Sequence, residues 1–456
     1  MGRPCHALGR AGKVRGVSTE GFSAPSSTSP SAPAADPAAE LADRLDDLRR
    51  EYADLQARGL TLDLTRGKPS AEQLDLSEAL LALPGEGVHA AENGTDTRNY
   101  GGLAGLPELR RIFAELLDVP VEQLLAQGNA SLTLMYDTVV QALLFGVPGS
   151  ERPWSREEQI TFVCPVPGYD RHFAICEELG IRMVTVPMTP DGPDAEAVAA
   201  LVADDPTIKG LWVVPTYANP DGSVVSEAVA RRLVSMPAAA PDFRIFWDNA
   251  YAVHHLTEHG AKSANAIDLA AEAGNPDRVL LYASTSKITF AGSGVAFFAG
   301  SPTNVAWFTK HLGIRSIGPD KINHLRHAQF FGDAEGVRAH MRKHREILAP
   351  KFSAVTSILA ERLGDRGVAT WTEPQGGYFV SVDVVPGTAA RVVQLAKEAG
   401  IALTPAGATF PYHRDPEDRN LRLAPTMPPL EEVRVAMDGV ATCILLAAAE
   451  AASLAG

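Results

Sequence analysis

The stretch VLLYASTSKITFAGSGVAFFAG, residues 279–300, sets the fold class. Two apolar runs, VLLYAS (279–284) and GVAFFAG (294–300), bracket a polar, glycine-rich turn that holds one lysine, Lys287. Upstream lie four more short apolar runs: ITFVC (160–164), MVTVP (183–187), GLWVVP (210–215) and RIFWD (244–248). Helical segments are predicted between them, over Tyr169–Leu179, Asp194–Ala203 and near Glu227–Met236. Continuously apolar strands separated by helices predict an α/β fold with a mainly parallel sheet covered on both faces. Ligands of such sheets bind beyond the carboxyl ends of the strands.

Several polar residues fall at those ends. Asn219 lies in YANPDG (217–222), Asp248 and Tyr251 in WDNAY (247–251), and Ser284, Ser286 and Lys287 in STSK (284–287). Taken singly, each has an ordinary explanation. Asn-Pro is a turn signal, an aspartate after a strand can cap a helix, and most lysines are solvated. A carboxylate at the end of a buried strand must nevertheless be paired or bound. Upstream, GNASL (128–132) precedes an apolar helix over Thr133–Phe145. The free N–H groups of a helix start suit a phosphate, so Asn129, Ala130 and Ser131 are cradle candidates beside the hydroxyls of Ser284 and Ser286. The alternative is a plain Asn/Ser cap.

Past residue 330 the pattern changes. A charged helix is predicted over Ala334–Leu363, then GGYFVSVDV (376–384), a helix near Ala389–Ala399, NLRLAP (420–425) and a helix from Leu430. The predicted organisation is a large domain over 96–330 and a smaller α+β domain over 331–456, joined by an N-terminal segment, 41–95. That segment opens with Leu41, Leu45, Leu48 and Leu55 at helical spacing, then LDLTRGKPS (62–70) as an extended stretch and loop. Residues 1–40 carry Arg3, Arg10, Lys13 and Arg15, then a Ser/Ala/Pro-rich run, and are predicted to be disordered. They lack the apolar core of a signal peptide.

Asn219-Pro220, Asp248-Asn249-Ala250-Tyr251, Ser284-Thr285-Ser286-Lys287 and Asn420-Leu421-Arg422 follow one another in order. Intervals of 29, 39 and 135 residues separate Asn219, Asp248, Lys287 and Arg422. In this the chain resembles the class I/II aminotransferases, pyridoxal-phosphate enzymes of fold type I, over roughly residues 45–450. The strings LTRGKPS, GNASL, PVPGYDRHF, STSKITFAGSG and GPDKINHLRH are similar to a divergent bacterial aspartate aminotransferase subgroup. The resemblance implies pyridoxal 5′-phosphate as cofactor, with Lys287 carrying it as a Schiff base and later moving a proton. It implies Asp248 against the pyridine nitrogen, Asn219 and Tyr251 on the ring oxygen, and Tyr169 on the ring face. Arg422 would grip the substrate α-carboxylate in a bidentate fork, with Asn219 and Gly67 also on the substrate side. Tyr100 would reach a neighbouring subunit's phosphate, which implies a homodimer with a shared active site. Aspartate and 2-oxoglutarate are the implied substrates of a ping-pong transamination. Another reaction on the same scaffold, a β-lyase or decarboxylase, or a different amino donor, is the alternative. A ligand-sensing effector domain would need an upstream DNA-binding module, and residues 1–40 are too few and too Pro/Ser-rich for one.

One departure stands out. Many relatives carry a phosphate-gripping arginine eight residues after the lysine, where this chain has Val295. A dicarboxylate substrate also needs a second cation, for which Lys321, Arg326, Arg66 and Lys68 are candidates. Bulk properties bear on partners and say nothing positive about substrate. The net charge of −14 disfavours nucleic acid and anionic membranes. Cys5, Cys164, Cys176 and Cys443 show no CxxC spacing, so no metal site is expected, and they fit a cytoplasmic location. The apolar stretch Val433–Leu454 is interrupted by Asp438 and Glu450 and is expected to be a packed terminal helix.

Overall fold

A computed structural model describes residues 41–455; the tail predicted to be disordered, 1–40, lies outside the described residues. In chain order, the first elements are α1 (Leu45–Ala57), β1 (Leu62–Asp63), α2 (Ala71–Asp75), α3 (Pro107–Leu117), β2 (Leu124–Ala126) and α4 (Ser131–Phe145). Then come β3 (Thr161–Val166), α5 (Asp170–Glu178), β4 (Arg182–Thr189), β5 (Gly192–Pro193), α6 (Ala195–Asp204), β6 (Ile208–Val213) and α7 (Glu227–Ser235). β7 (Arg244–Asp248), α8 (Ala266–Glu272), β8 (Val279–Ser284), β9 (Ala296–Gly300), α9 (Pro302–Arg315) and α10 (Lys321–Phe331) follow. The last are α11 (Ala334–Leu363), β10 (Ala369–Trp371), β11 (Val380–Val384), α12 (Ala389–Glu398), β12 (Ile401–Ala402), β13 (Asn420–Leu423) and α13 (Leu430–Ala455).

Eight strands form one sheet in the order β2-β9-β8-β7-β6-β3-β4-β5. The β3/β4, β3/β6, β6/β7 and β7/β8 pairs are parallel, whereas β2/β9, β8/β9 and β4/β5 are antiparallel. The sheet is thus mainly parallel, as expected. Period-2 alternation explains its continuously apolar strands. Ile245 and Trp247 of β7 enter one core with Leu211, Leu281 and Phe297. Phe246 enters the opposite core with Trp212, Leu280 and Tyr282. Each such buried side chain contributes about 1.5–3 kcal/mol relative to exposure.

Beside this sheet, β10, β11 and β13 form an antiparallel sheet, and β1 pairs with β12 in parallel. A third core joins Leu48 and Leu55 of α1, Val355 and Leu359 of α11, Val382 of β11 and Ile444 of α13. Helix α13 is long and apolar enough to span a bilayer by composition, but 72% of its most apolar window is buried inside the protein. The two charges that interrupt it are paired, Asp438 with Arg362 and Glu450 with Arg391.

Local signals fix several helix starts. Asp194, Ser226, Ser301, Asp320 and Asp333 each accept a hydrogen bond from the first turn of the helix that follows. The start of α4 differs. Its N-cap is Ala130, with no side-chain cap, and the helix begins two residues before the predicted start. Helices α3, α8, α9 and α10 and the short strands β2, β5 and β10 lie where the sequence reading assigned no element.

Candidate active site

The carboxyl ends of β6, β7 and β8 bring the expected residues together. Asp248 ends β7 and is almost fully buried. Its Oδ2 lies 3.0 Å from His172 Nε2 on α5, while its Oδ1 is buried without a hydrogen-bond partner among the described residues. The His172 ring stacks on Trp212 with centroids 4.4 Å apart, so the imidazole is clamped as well as bonded. Tyr169, immediately before α5, meets His172 edge-on at 4.9 Å. Burial, then the nearby Asp248, pushes the Tyr169 phenol above its usual range.

Lys287 lies three residues beyond β8. Its Nζ is 4.9 Å from the Tyr251 ring centroid and 6.0 Å from that of Tyr378. Burial lowers its pKa, against the opposing pull of Asp248, and so favours the free amine. Tyr251 is buried, and burial holds its phenol well above the usual range. The turn that carries Lys287 is closed by Thr285 and Val295. Thr285 N–H donates to Val295 O at 2.8 Å, and Val295 N–H donates to Thr285 Oγ1 at 2.9 Å.

Arg422 projects from β13 and is largely buried. Its Nη1 donates to Asp170 Oδ1 at 2.7 Å and to Asn219 Oδ1 at 3.4 Å, and its guanidinium lies 5.1 Å from the Phe379 ring centroid. Its Nε is buried with no partner. One edge of the guanidinium is therefore held, leaving a donor for a bound carboxylate. Gly67 packs directly on Phe379: a Cβ there would stand 2.2 Å from the ring's Cζ. Gly67, Phe379 and Arg422 thus form three successive layers.

On the other flank, Ser286 Oγ donates to Asn129 O at 3.2 Å and Ser284 Oγ donates to Ser286 Oγ at 3.0 Å. This places both hydroxyls beside the uncapped start of α4, where Ala130 and Ser131 present backbone N–H groups. The plain-cap alternative for GNASL does not hold, because no side chain caps that helix. Val295 is fully buried in the core. Its place is committed to packing.

Other expected residues lie outside the cluster. Tyr100 is 80% exposed. Lys321 Nζ donates to Gly101 O at 2.8 Å and Arg326 Nε to Leu83 O at 3.1 Å, so both are tied to main-chain carbonyls. Arg66 and Lys68 flank Gly67 in the loop that follows β1. The sequence reading missed His172, Asp170, Tyr378, Phe379 and Gln73. Only His172 left a usable trace: it follows Tyr169 by three residues on a predicted helix, and a buried Asp248 required some partner.

The residues present fit a pyridoxal-phosphate group. There is a buried carboxylate oxygen without a partner among the described residues, an amine whose pKa burial lowers, an uncapped helix start with two hydroxyls, and a part-occupied arginine. A family model described as aspartate amino-transferase matches residues 37–455. The chain belongs to that family.

The aminotransferase is 58% identical over 405 residues to an aspartate aminotransferase of Corynebacterium glutamicum, covering 89% of this chain and 94% of the relative. The solved structure of an aspartate transaminase from Corynebacterium glutamicum matches with a TM-score of 0.89 at 57% identity, over 91% of this chain and 97% of that one. The α-aminoadipate aminotransferase LysN of Thermus thermophilus shares the fold, with a TM-score of 0.68 at 21% identity over 90% of this chain and 97% of that one. The class I/II, fold-type I resemblance of the sequence therefore holds for both family and architecture.

Proposed function

We propose that this aminotransferase uses pyridoxal 5′-phosphate to transfer the amino group of L-aspartate to 2-oxoglutarate. The observation that carries the reading is Asp248, whose Oδ1 is buried and unpartnered while His172 holds Oδ2. A buried unpaired carboxylate oxygen is costly, and a protonated ring nitrogen meets that cost. When bound, the cofactor supplies an electron sink for the charge that develops at the substrate Cα.

The chain's own residues do the rest. Lys287 anchors the group and then accepts and returns a proton at Nζ, which its lowered pKa favours. Asn219 and Tyr251 hydrogen-bond the ring oxygen, and Tyr169 covers the ring face. Asn129, Ala130, Ser131, Ser284 and Ser286 hold the phosphate through hydroxyls, backbone N–H groups and the α4 dipole. Arg422 takes the α-carboxylate on the edge left open by Asp170 and Asn219. The larger domain, 96–330, holds the cofactor, and 41–95 with 331–456 form the smaller one. The active unit is a cytoplasmic homodimer in which Tyr100 completes the partner's phosphate site. The exposure of Tyr100 close to the exposed Ile317, whose carbonyl accepts from Gly101 N–H at 3.1 Å, supports that surface as the interface.

Purified protein should show a visible cofactor band that borohydride abolishes, and Lys287→Ala should lack it. A Lys287→Ala protein that still formed a reducible adduct would sink the assignment. A donor panel of aspartate, alanine, aromatic and branched amino acids tests specificity. Aspartate turning over no faster than alanine would remove the dicarboxylate reading.

A further inference from the structure

Behind Lys287 lies a buried network that the reaction described above does not use. The Lys287 carbonyl accepts from the Tyr378 hydroxyl at 3.3 Å and lies 3.3 Å from His254 Nε2. The next carbonyl, Ile288, lies 2.9 Å from His340 Nε2. His344 Nε2 converges on the same place, 3.1 Å from His340 Nε2 and bonded to the Ile288 main chain. Gln73 is the branch point. Its Nε2 donates to Tyr378 Oη at 2.9 Å and sits 2.9 Å from His344 Nδ1, while its Oε1 accepts from Ser70 N–H at 3.1 Å.

The chemistry of the partners fixes the imidazole protons. His340 and His344 both carry Nε2–H and both meet the Ile288 carbonyl, so their 3.1 Å Nε2–Nε2 contact is not itself a hydrogen bond, and Ser77 Oγ stands 3.2 Å from His340 Nε2. A carbonyl only accepts, so His254 and His340 carry hydrogen on Nε2. The Gln73 amide nitrogen only donates, so His344 Nδ1 accepts and its hydrogen is also on Nε2. Tyr378 receives from Gln73 and so passes its own proton to Lys287 O. Burial keeps these imidazoles neutral: it lowers the pKa of His254 and His340, and takes His344 down to about 3. Gln73, His254 and His344 are almost fully buried, so reversing any one of these bonds leaves a buried group unpaired.

We propose that Gln73 is a positioning residue for Lys287, acting through Tyr378 on the Lys287 carbonyl and through His344 on the Ile288 carbonyl, to which His340 also donates. The amine then swings from a fixed main-chain pivot. Gln73 belongs to the short α2 helix that follows the Arg66–Lys68 turn, so one segment touches both the substrate side and the lysine side. The proposal rests on Lys287 being the cofactor lysine. If the wild-type protein shows no reducible visible band, that reading fails, whereas the imidazole tautomers still test the network.

The test is Gln73→Glu, which keeps the size but replaces the donor with an acceptor. His344 must then donate from Nδ1, and the Tyr378 hydroxyl turns toward the introduced carboxylate instead of Lys287 O. In the folded holoenzyme, kcat should fall about tenfold with donor KM within about twofold, since a displacement of ~1 Å costs up to ~100-fold. Histidine-selective 15N spectra should show wild-type His254, His340 and His344 as neutral Nε2–H tautomers, and a changed His344 in the variant. Tyr378→Phe removes a single oxygen and decides the question even where Gln73→Glu does not accumulate. It should lower kcat severalfold at unchanged KM and move the pH midpoint of the visible band. Wild-type kcat in Tyr378→Phe, unchanged His344 shifts in Gln73→Glu, or a loss confined to KM would overturn the proposal.

Discussion

Replacing Gly67 with alanine should damage substrate binding through the Phe379 ring that lies between it and Arg422. The new Cβ would stand 2.2, 2.6 and 3.1 Å from Cζ, Cε1 and Cε2 of Phe379. Relaxed carbon contacts are about 3.5–4.0 Å, so the ring edge must retreat by roughly 1.3 Å. Phe379 is buried, and Arg422 lies on its ring at 5.1 Å. The displacement therefore reaches the guanidinium or strains the ring in place. Overpacking of this kind costs about 1–3 kcal/mol. If that cost falls on the substrate complex, kcat/KM for aspartate and for 2-oxoglutarate drops between about fivefold and 150-fold. Backbone conformation does not confound the test, because Gly67 does not occupy the left-handed region. Steady-state kinetics on Gly67→Ala, Phe379→Leu and the double variant give a thermodynamic cycle. In the Phe379→Leu background the alanine should cost little, since the clashing ring is gone. A Gly67→Ala enzyme with wild-type kcat/KM, or a loss of equal size in both backgrounds, would refute the three-layer reasoning.

Arg422→Lys should lower kcat/KM for every amino donor by ~30- to 150-fold, the worth of a charge-assisted hydrogen bond at about 2–3 kcal/mol; unchanged selectivity across the donor panel would support an α-carboxylate role. Val295→Arg should not improve cofactor affinity, because the site is fully buried and a guanidinium there is unpaired; the thermal midpoint should fall, and a stable variant that binds the cofactor more tightly would contradict the packing account. Asp221 supplies a pH test. Burial raises its carboxyl to about 7, against about 3.9 unfolded, so the native state binds a proton that the unfolded state has lost. Stability therefore declines as pH rises from about 4 to 7 and is level above that. Asp221→Asn removes the penalty, so its thermal-midpoint gain over wild type should be larger at pH 8 than at pH 4.5, and an equal gain at both would remove the argument.

What could be read from the chain follows from how each signal is encoded. The β7 and β8 boundaries, 244–248 and 279–284, match their apolar runs because both faces of those strands are buried. The same burial placed Asn219, Asp248 and Lys287 at one edge, since a parallel sheet delivers successive strand ends to one side. The α11 helix, Ala334–Leu363, was legible from its length despite Pro350 within it. The short strands β2, β5 and β10 span two or three residues each and have no period to detect.

The lysine's supports were illegible for another reason. Gln73, His254, His340, His344 and Tyr378 come from four separate regions of the chain and share neither spacing nor motif. What they share is a requirement that appears only after folding: the Lys287 and Ile288 carbonyls are buried in a turn and need donors. A sequence names the group that does chemistry because its residue type is rare in that setting. It does not name the groups that hold its main chain, because any donor of suitable reach satisfies a carbonyl. Gln73 is the exception in principle. Its amide both closes the capping box of α2 with Ser70 and branches into the network. A glutamate would serve that cap equally well. The choice of glutamine over glutamate is therefore not explained by the helix, and the two donors that the network needs supply the reason.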